Sequence, residues 1–213
     1  MLLSKVFKKI NKKYKSVEFN SIRFNSKHCK SNDIFFAING NKLNGNDYIK
    51  DAINNGAKII VSNLKFKGFS KKKILFIHSK DPRKLLAEAA SNFFYKKPKN
   101  MIAVTGTNGK TSISNFYYQI LTLNNKKAAM IGTLGVLSKK LKLKTNNTTI
   151  DPINIHKILN KLRKLKVNDV ILEASSHGLK QHRLNGLNFN TAIFTNLSRD
   201  HLDYHKNFKD YLN

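Results

Sequence analysis

Cysteine occurs once, at Cys29, so neither an internal disulfide nor a cysteine-based zinc site can form. A reducing cytoplasm suits such a chain. Acidic residues are few: 12 Asp and Glu stand against 40 Lys and Arg, a formal charge of +28. Arginine is scarce as well, confined to Arg23, Arg83, Arg163, Arg183 and Arg199. It is the better fork for phosphate and guanine, and the lysines are spread over both halves of the chain. The charge therefore predicts salt-sensitive adhesion to polyanions and no specific nucleic-acid partner. Lysine excess together with abundant Asn, Ile and Phe reads as a coding bias towards A and T. No apolar run approaches the roughly 20 residues of a membrane span. The N-terminus lacks the apolar stretch and cleavage site of a signal peptide. Leu2, Leu3, Val6, Phe7 and Ile10, backed by lysines, predict a short helix that docks on the protein and not on a membrane.

Against these scarcities, 40% of the 213 residues are hydrophobic, enough to build a core in one large or two small domains. Strand signals cover residues 33–38, 57–62 and 73–78. Helix signals cover 46–55 and the stretch opened by Asp81-Pro82, a cap followed by proline at the first helical position. Pro98 lies in a linker, so residues 1–98 are expected to form one small α/β domain and 99–213 another. In the second, strands are expected at 101–105, 128–132, 169–174 and 191–196, with a charged connector or hairpin at 139–144. Asp151-Pro152 opens a helix that carries Ile155, Ile158, Leu159, Leu162 and Leu165 inward. Strands alternating with helices imply a parallel sheet covered on both faces.

One stretch organises the second half. Met101 to Thr105 is apolar, as a buried parallel strand should be. Gly106-Thr107-Asn108-Gly109-Lys110-Thr111-Ser112 follows, and then Ile113, Phe116, Tyr117, Ile120 and Leu121 mark a helical face. Strand, glycine turn and helix N-terminus make a place where anions bind, because free N–H groups and the positive end of the helix dipole meet there. Lys110 supplies a point charge for phosphates and Thr111 a hydroxyl for Mg²⁺. The general phosphate-loop pattern has its first glycine where Val104 stands; Gly106 leaves a shorter G-x-x-G-K-T.

Further polar clusters fall where ligands bind in open α/β sheets, beyond the carboxyl ends of strands. Glu173 closes an apolar strand, where a carboxylate is expensive without a salt bridge or a cation. Asp200, His201, Asp203 and His205 follow the last strand. His201 and His205 have zinc-like i, i+4 spacing, but oxygen donors beside a phosphate loop suit Mg²⁺ better. Asn146 to Asp151 offers amides and hydroxyls, equally consistent with a capped loop.

Gly106 to Thr111, Asn147-Thr148-Thr149, Glu173-Ala-Ser-Ser-His-Gly-Leu179, Gln181-His-Arg183 and Thr195-Asn-Leu-Ser-Arg-Asp-His-Leu-Asp-Tyr-His205 together resemble the Mur ligases. The nearest type is MurE, the UDP-N-acetylmuramoyl-L-alanyl-D-glutamate–2,6-diaminopimelate ligases, in which the shorter glycine loop is usual. Phe24-Asn-Ser26, residues 33–40 and Asn41-Lys42-Leu43 resemble that family's uridine-nucleotide domain, with Lys27 where the family commonly has arginine.

The resemblance implies a fold and a reaction. A small N-terminal α/β uridine-nucleotide domain precedes a phosphate-loop, parallel-sheet ATPase domain. ATP phosphorylates the D-Glu γ-carboxylate of UDP-MurNAc-L-Ala-D-Glu, and the amine of meso-diaminopimelate displaces phosphate from the acyl phosphate. Gly106, Thr107, Asn108, Gly109, Lys110, Thr111 and Ser112 bind ATP. Thr111, Glu173 and His201 hold Mg²⁺, and Lys110, Glu173 and His201 are the catalytic set. Phe24, Ser26, Asn41, Lys42, Leu43, Asn147, Thr148, Thr149, Ser175, Gln181 and Arg183 hold the UDP-muramoyl peptide. The family has three domains, so the chain is expected to be truncated inside the second: one half of a split ligase working with a separate C-terminal polypeptide, or an inactive nucleotide-binding remnant. An L-lysine-adding ligase is the alternative substrate reading. A folylpolyglutamate-type ligase is disfavoured because that family lacks the first domain.

Overall fold

The computed structural model describes residues 1–40, 43–200, 204–205 and 207–212. The chain divides into two compact units, Met1–Phe93 and Phe94–Asn213.

The first unit contains β1 (Ile22–Arg23), β2 (Ile34–Phe36), α1 (Ile49–Asn54), β3 (Ile59–Ser62), β4 (Gly68–Phe69), β5 (Leu75–His78) and α2 (Pro82–Phe93). Strand order is β1-β2-β3-β5-β4, parallel except for β4, which pairs antiparallel with β5. β3 is buried at every position, as a parallel strand covered on both faces must be. Phe35, Ala37 and Ile60 pack with Ala52, Ile49 and Ile53 of α1. α2 buries Leu86, Ala87, Ala89 and Ala90. Its cap forms as expected, with Lys84 N donating to Asp81 Oδ1 at 2.9 Å.

The amphipathic helix expected at the N-terminus is not formed. Leu3–Lys5 is a single 3-10 turn. Leu3 N donates to Val17 O, Phe19 N donates to Met1 O, and Leu2 bridges Glu18, so this backbone is paired with a neighbouring segment. Leu3, Val6 and Phe7 are nevertheless buried.

The second unit contains β6 (Asn100–Thr105), α3 (Lys110–Leu123), β7 (Ala128–Gly132), β8 (Gly135–Ser138), β9 (Leu141–Leu143), α4 (Pro152–Lys164), β10 (Asp169–Glu173), α5 (Ser176–Lys180), β11 (Thr191–Phe194) and α6 (Phe208–Leu212). The sheet runs β11-β6-β10-β7-β8-β9. Its first four strands are parallel, and β8 and β9 extend it as an antiparallel hairpin. The period of two sorts the side chains by face. Met101, Ala103, Ala129, Ile131, Val170 and Leu172 pack on α4, through Ile155, Ile158, Leu159 and Leu162. Val104, Met130 and Ile171 face α3.

α3 turns a different face to the sheet from the one its apolar spacing suggests. Ile113, Tyr117 and Tyr118 pack inward and Ser114 is fully buried, whereas Phe116 and Ile120 are 61% and 58% exposed. A small hydroxyl residue lets the helix lie close to the strands near the loop, and a hydrophobic count cannot register such a contact.

Candidate functional site

The site is assembled at the carboxyl ends of the parallel strands of the second unit, the expected place for a ligand in this architecture. β6 ends at Thr105 and the chain turns through Gly106, at φ +128°, and Gly109, at φ +83°. A Cβ at Gly106 would lie 2.1 Å from Thr195 Oγ1, so both conformation and space require glycine there. Gly109 is the N-cap of α3, and no side chain caps that helix end. Its first-turn N–H groups therefore face a cavity of about 270 Å³ lined by residues 106–112 together with Thr133, Thr148, Glu173, Ser175, Ser176 and Tyr211.

Lys110 folds its ammonium back into the loop and donates to Gly106 O at 2.6 Å and Thr107 O at 2.8 Å. Burial lowers its pKa from the ordinary value, and the Glu173 and Asp200 carboxylates oppose that shift. The loop is braced from the segment after β11. Asn108 N donates to Asn196 Oδ1 at 3.0 Å, and Thr195 Oγ1 and Asn196 Nδ2 both donate to Asn108 O. Thr107 Oγ1 accepts from Ser198 N at 2.9 Å.

Glu173 shares a sheet face with Ile171, two residues back, and that is the face α3 covers. The strand thus carries the carboxylate to the first turn of α3, where Thr111 Oγ1 donates to Glu173 Oε2 at 2.9 Å. Glu173 is only 1% exposed. Three donors meet its two oxygens: Thr111 Oγ1, Thr133 N to Oε1 at 3.1 Å, and Thr133 Oγ1 to Oε2 at 3.0 Å. Hydrogen bonds of this kind offset the cost of burying a carboxylate. Thr133 was not among the sequence-derived candidates, although its place directly after a buried strand on the carboxyl rim is the signal that could have found it.

Thr149 ties the loop before α4 to the end of β10. Its Oγ1 donates to Glu173 O at 2.9 Å and accepts from Ser175 N at 2.9 Å. Ser175 caps α5 by accepting from Gly178 N. Arg183 donates to Thr149 O and, from Nε and Nη2, to Gln181 Oε1, while Gln181 Nε2 reaches Tyr204 OH at 3.1 Å. Thr149, Ser175, Gln181 and Arg183 therefore form one linked network beside the phosphate loop, and Thr148 Oγ1 lies 3.0 Å from Thr133 Oγ1. Asn147 and Ser112 are exposed. In the first unit, Ser26 is buried in a 3-10 turn, Phe24 is 43% exposed, and Leu43, 63% exposed, accepts a hydrogen bond from Gly40 N. Asn41, Lys42, His201 and Asp203 lie outside the described residues. His205 is buried against the rings of Tyr204, Tyr211 and His177, with Nδ1 3.7 Å from Asp210 Oδ2.

Among the described residues, no group of three or more His, Cys, Asp and Glu is arranged so that it could hold a metal ion. The donors that do meet, the Thr111 hydroxyl and the buried Glu173 carboxylate, are hard oxygen ligands lining the cavity of about 270 Å³. That donor set fits Mg²⁺. Among the described residues, no helix is long and apolar enough to cross a membrane.

Known proteins match the chain in sequence and in fold. Rhizobium meliloti UDP-N-acetylmuramoyl-L-alanyl-D-glutamate–2,6-diaminopimelate ligase is 41% identical over 197 residues, 92% of this chain and 40% of the relative. The ligase of the same name from Rickettsia typhi is 40% identical over 207 residues, 95% of this chain and 42% of the relative. The chain thus spans about 40% of the length of the curated relatives it matches. A solved structure of such a ligase superposes with a TM-score of 0.81 at 29% identity, over 99% of this chain and 43% of that one. Thermotoga maritima MurF, solved in complex with ADP, shares the fold at 22% identity and a TM-score of 0.59. The Mur ligase family catalytic-domain model matches residues 18–94 and the Mur ligase middle-domain model matches residues 104–213, and on these matches the chain belongs to the Mur ligase family.

Proposed function

We propose that the chain supplies the nucleotide-binding and UDP-muramoyl-peptide-binding parts of an ATP-dependent amide ligase of peptidoglycan precursor synthesis. The observation that carries this reading is the Thr111–Glu173 contact of 2.9 Å at the mouth of an uncapped, glycine-turned helix N-terminus. Anionic oxygens entering the cavity would meet first-turn N–H groups, and Lys110 would exchange its two loop carbonyls for phosphate oxygens. Thr111 and Glu173, with His201 as the third ligand by family resemblance, would hold Mg²⁺. Bound there, the ion neutralises charge on the terminal phosphates of ATP.

In this reading the D-Glu γ-carboxylate of UDP-MurNAc-L-Ala-D-Glu attacks the γ-phosphorus of ATP. ADP leaves and an acyl phosphate forms. The diamino-acid amine then attacks the acyl carbon, loses a proton and expels phosphate. Thr148, Thr149, Ser175, Gln181 and Arg183 orient the muramoyl peptide. Phe24, Ser26 and residues 41–43 engage the uridine nucleotide. Most of the work is positioning and charge neutralisation. 2,6-Diaminopimelate is proposed as the amino acid from the names of the relatives, and its meso form from the family resemblance. We place the reaction in the cytoplasm, where ATP is available and the lone thiol of Cys29 stays reduced.

The test is calorimetric titration of the chain with ADP and ATP, with and without Mg²⁺. Micromolar binding that strengthens with Mg²⁺ and drops at least tenfold in Lys110→Met is expected; equal binding by Lys110→Met refutes the phosphate role. Phosphate release with UDP-MurNAc-L-Ala-D-Glu, ATP and meso-diaminopimelate, with the C-terminal portion of a relative added in trans, then tests turnover.

A further inference from the structure

We propose that Thr133 is the positioning residue for Glu173: it fixes the plane of the carboxylate and connects that carboxylate to the loop carrying Thr148. The inference rests on the reading of Glu173 as a metal-binding carboxylate beside the phosphate loop.

Glu173 Oε1 accepts from Thr133 N at 3.1 Å, and Oε2 accepts from Thr133 Oγ1 at 3.0 Å. One residue thus holds both oxygens, from a rigid backbone amide and from a side chain one bond further out. A carboxylate held by one donor can still rotate about its terminal torsion, which is broad and two-fold. A carboxylate held at both oxygens cannot. Thr111 also donates to Oε2, but a residue expected to turn its own hydroxyl oxygen towards a cation is a poor sole guide for its neighbour. Thr133 is not among the residues assigned to the cation.

A hydroxyl has one proton. The Thr133 proton is directed at Glu173, so in the 3.0 Å contact between Thr133 Oγ1 and Thr148 Oγ1 it is Thr148 that donates. The result is an ordered chain, Thr148 O–H to Thr133 O–H to the Glu173 carboxylate. Each donor in such a chain polarises the next. Residues 147–149 are the stretch assigned to the muramoyl peptide, so a ligand that draws the Thr148 hydroxyl away also loosens the Thr133 hold on Glu173. Outer partners of metal ligands commonly change metal affinity by about 10- to 100-fold when removed.

The experiment compares the wild-type chain with Thr133→Val, which keeps the N–H and the branched shape but deletes the hydroxyl, and with Thr133→Ser, which restores it. ADP dissociation constants are measured by calorimetry with and without Mg²⁺, and Mn²⁺ binding to the nucleotide-free chain is followed by electron paramagnetic resonance. Thr133→Val is expected to weaken Mn²⁺ binding and the Mg²⁺-dependent gain in ADP affinity by about tenfold. Metal-free ADP binding, carried by the phosphate loop, should change less than twofold, and Thr133→Ser should recover most of the loss. Unchanged metal dependence in Thr133→Val overturns the proposal, as does an equal loss with and without metal, which marks simple loss of structure. A wild-type chain that binds neither Mn²⁺ nor Mg²⁺-dependent nucleotide overturns the underlying metal reading, an outcome visible before any variant is made.

Discussion

Gly132 and Glu173 occupy space that can hold only one side chain. A Cβ built at Gly132 would lie 2.0 Å from Glu173 Oε1 and 2.4 Å from its carboxyl carbon. The backbone of β7 ends in a residue without a side chain because the carboxylate from β10 rests against it. The next residue, Thr133, then places its N–H and hydroxyl on the two carboxylate oxygens.

Gly132→Ala should therefore act through Glu173. The three nearest atoms, at 2.0–2.6 Å, all belong to the Glu173 side chain, so the carboxylate must leave its position and its three donors. We expect a loss of about 1–3 kcal/mol in unfolding free energy, typical of overpacking, and loss of Mg²⁺-dependent nucleotide binding. Glu173→Ala in the same background removes the obstacle. In a double-mutant cycle read by urea denaturation, the pair should lose less than the sum of the two single changes. An additive result would show that the strain at position 132 lies in the backbone.

Asn196→Ala should loosen the phosphate loop without unfolding the unit. Asn196 is an exposed residue whose amide accepts from Asn108 N and donates to Asn108 O. Its truncation removes little packing, so global stability should fall by no more than about 1 kcal/mol. Hydrogen exchange at the Asn108 amide should accelerate severalfold while β6 and β10 amides keep their protection. ADP affinity should fall because the loop must then be ordered by the ligand. Unchanged exchange at Asn108 would mean that Thr195 and the Thr107–Ser198 contact suffice to hold the loop.

How much of this was legible in the sequence depended on whether a residue's partner was near in sequence or only in space. Gly106 to Thr111 could be read directly because strand, turn and helix are contiguous and each has its own local pattern. Glu173 could be read as unusual because a carboxylate closes an apolar strand. Its partner Thr133 lies 40 residues away, and no periodicity links the two positions. The same holds for Asn196, 88 residues from Asn108: its stretch stood out, but its role as a brace for the loop did not. Errors of face arose where packing overrode the apolar count. Phe116 and Ile120 of α3 are exposed, while the small Ser114 is buried against the sheet. At the N-terminus, pairing with a neighbouring segment overrode helical spacing.

His156 makes the second unit sensitive to acid. It lies fully buried in α4, where neutral Nε2–H donates to Asn185 O at 3.1 Å. Burial pulls its pKa down to about 3, the nearby Lys97 charge adds to the shift, and the bond to Asn185 opposes it. An unfolded histidine titrates near 6.5. Between those values the unfolded chain binds a proton that the folded chain refuses, so stability rises with pH across that window. It is lost as pH falls from about 6.5 towards 3. Above 7 both states are neutral and the site contributes no slope. Between pH 7 and pH 5 this one residue should remove about 2 kcal/mol of unfolding free energy. His156→Leu keeps the site apolar and removes the titration. Its urea midpoint should move much less between pH 7 and pH 5 than that of the wild-type chain, even if its stability at pH 7 is lower for want of the Asn185 bond. Identical pH slopes in the two proteins would assign the acid sensitivity to other groups. Lys97 supplies an internal check of opposite range. Burial lowers its pKa to about 8, so its contribution should raise stability as pH climbs from about 8 towards 10.5. Lys97→Met should flatten that upper limb and leave the lower one to His156.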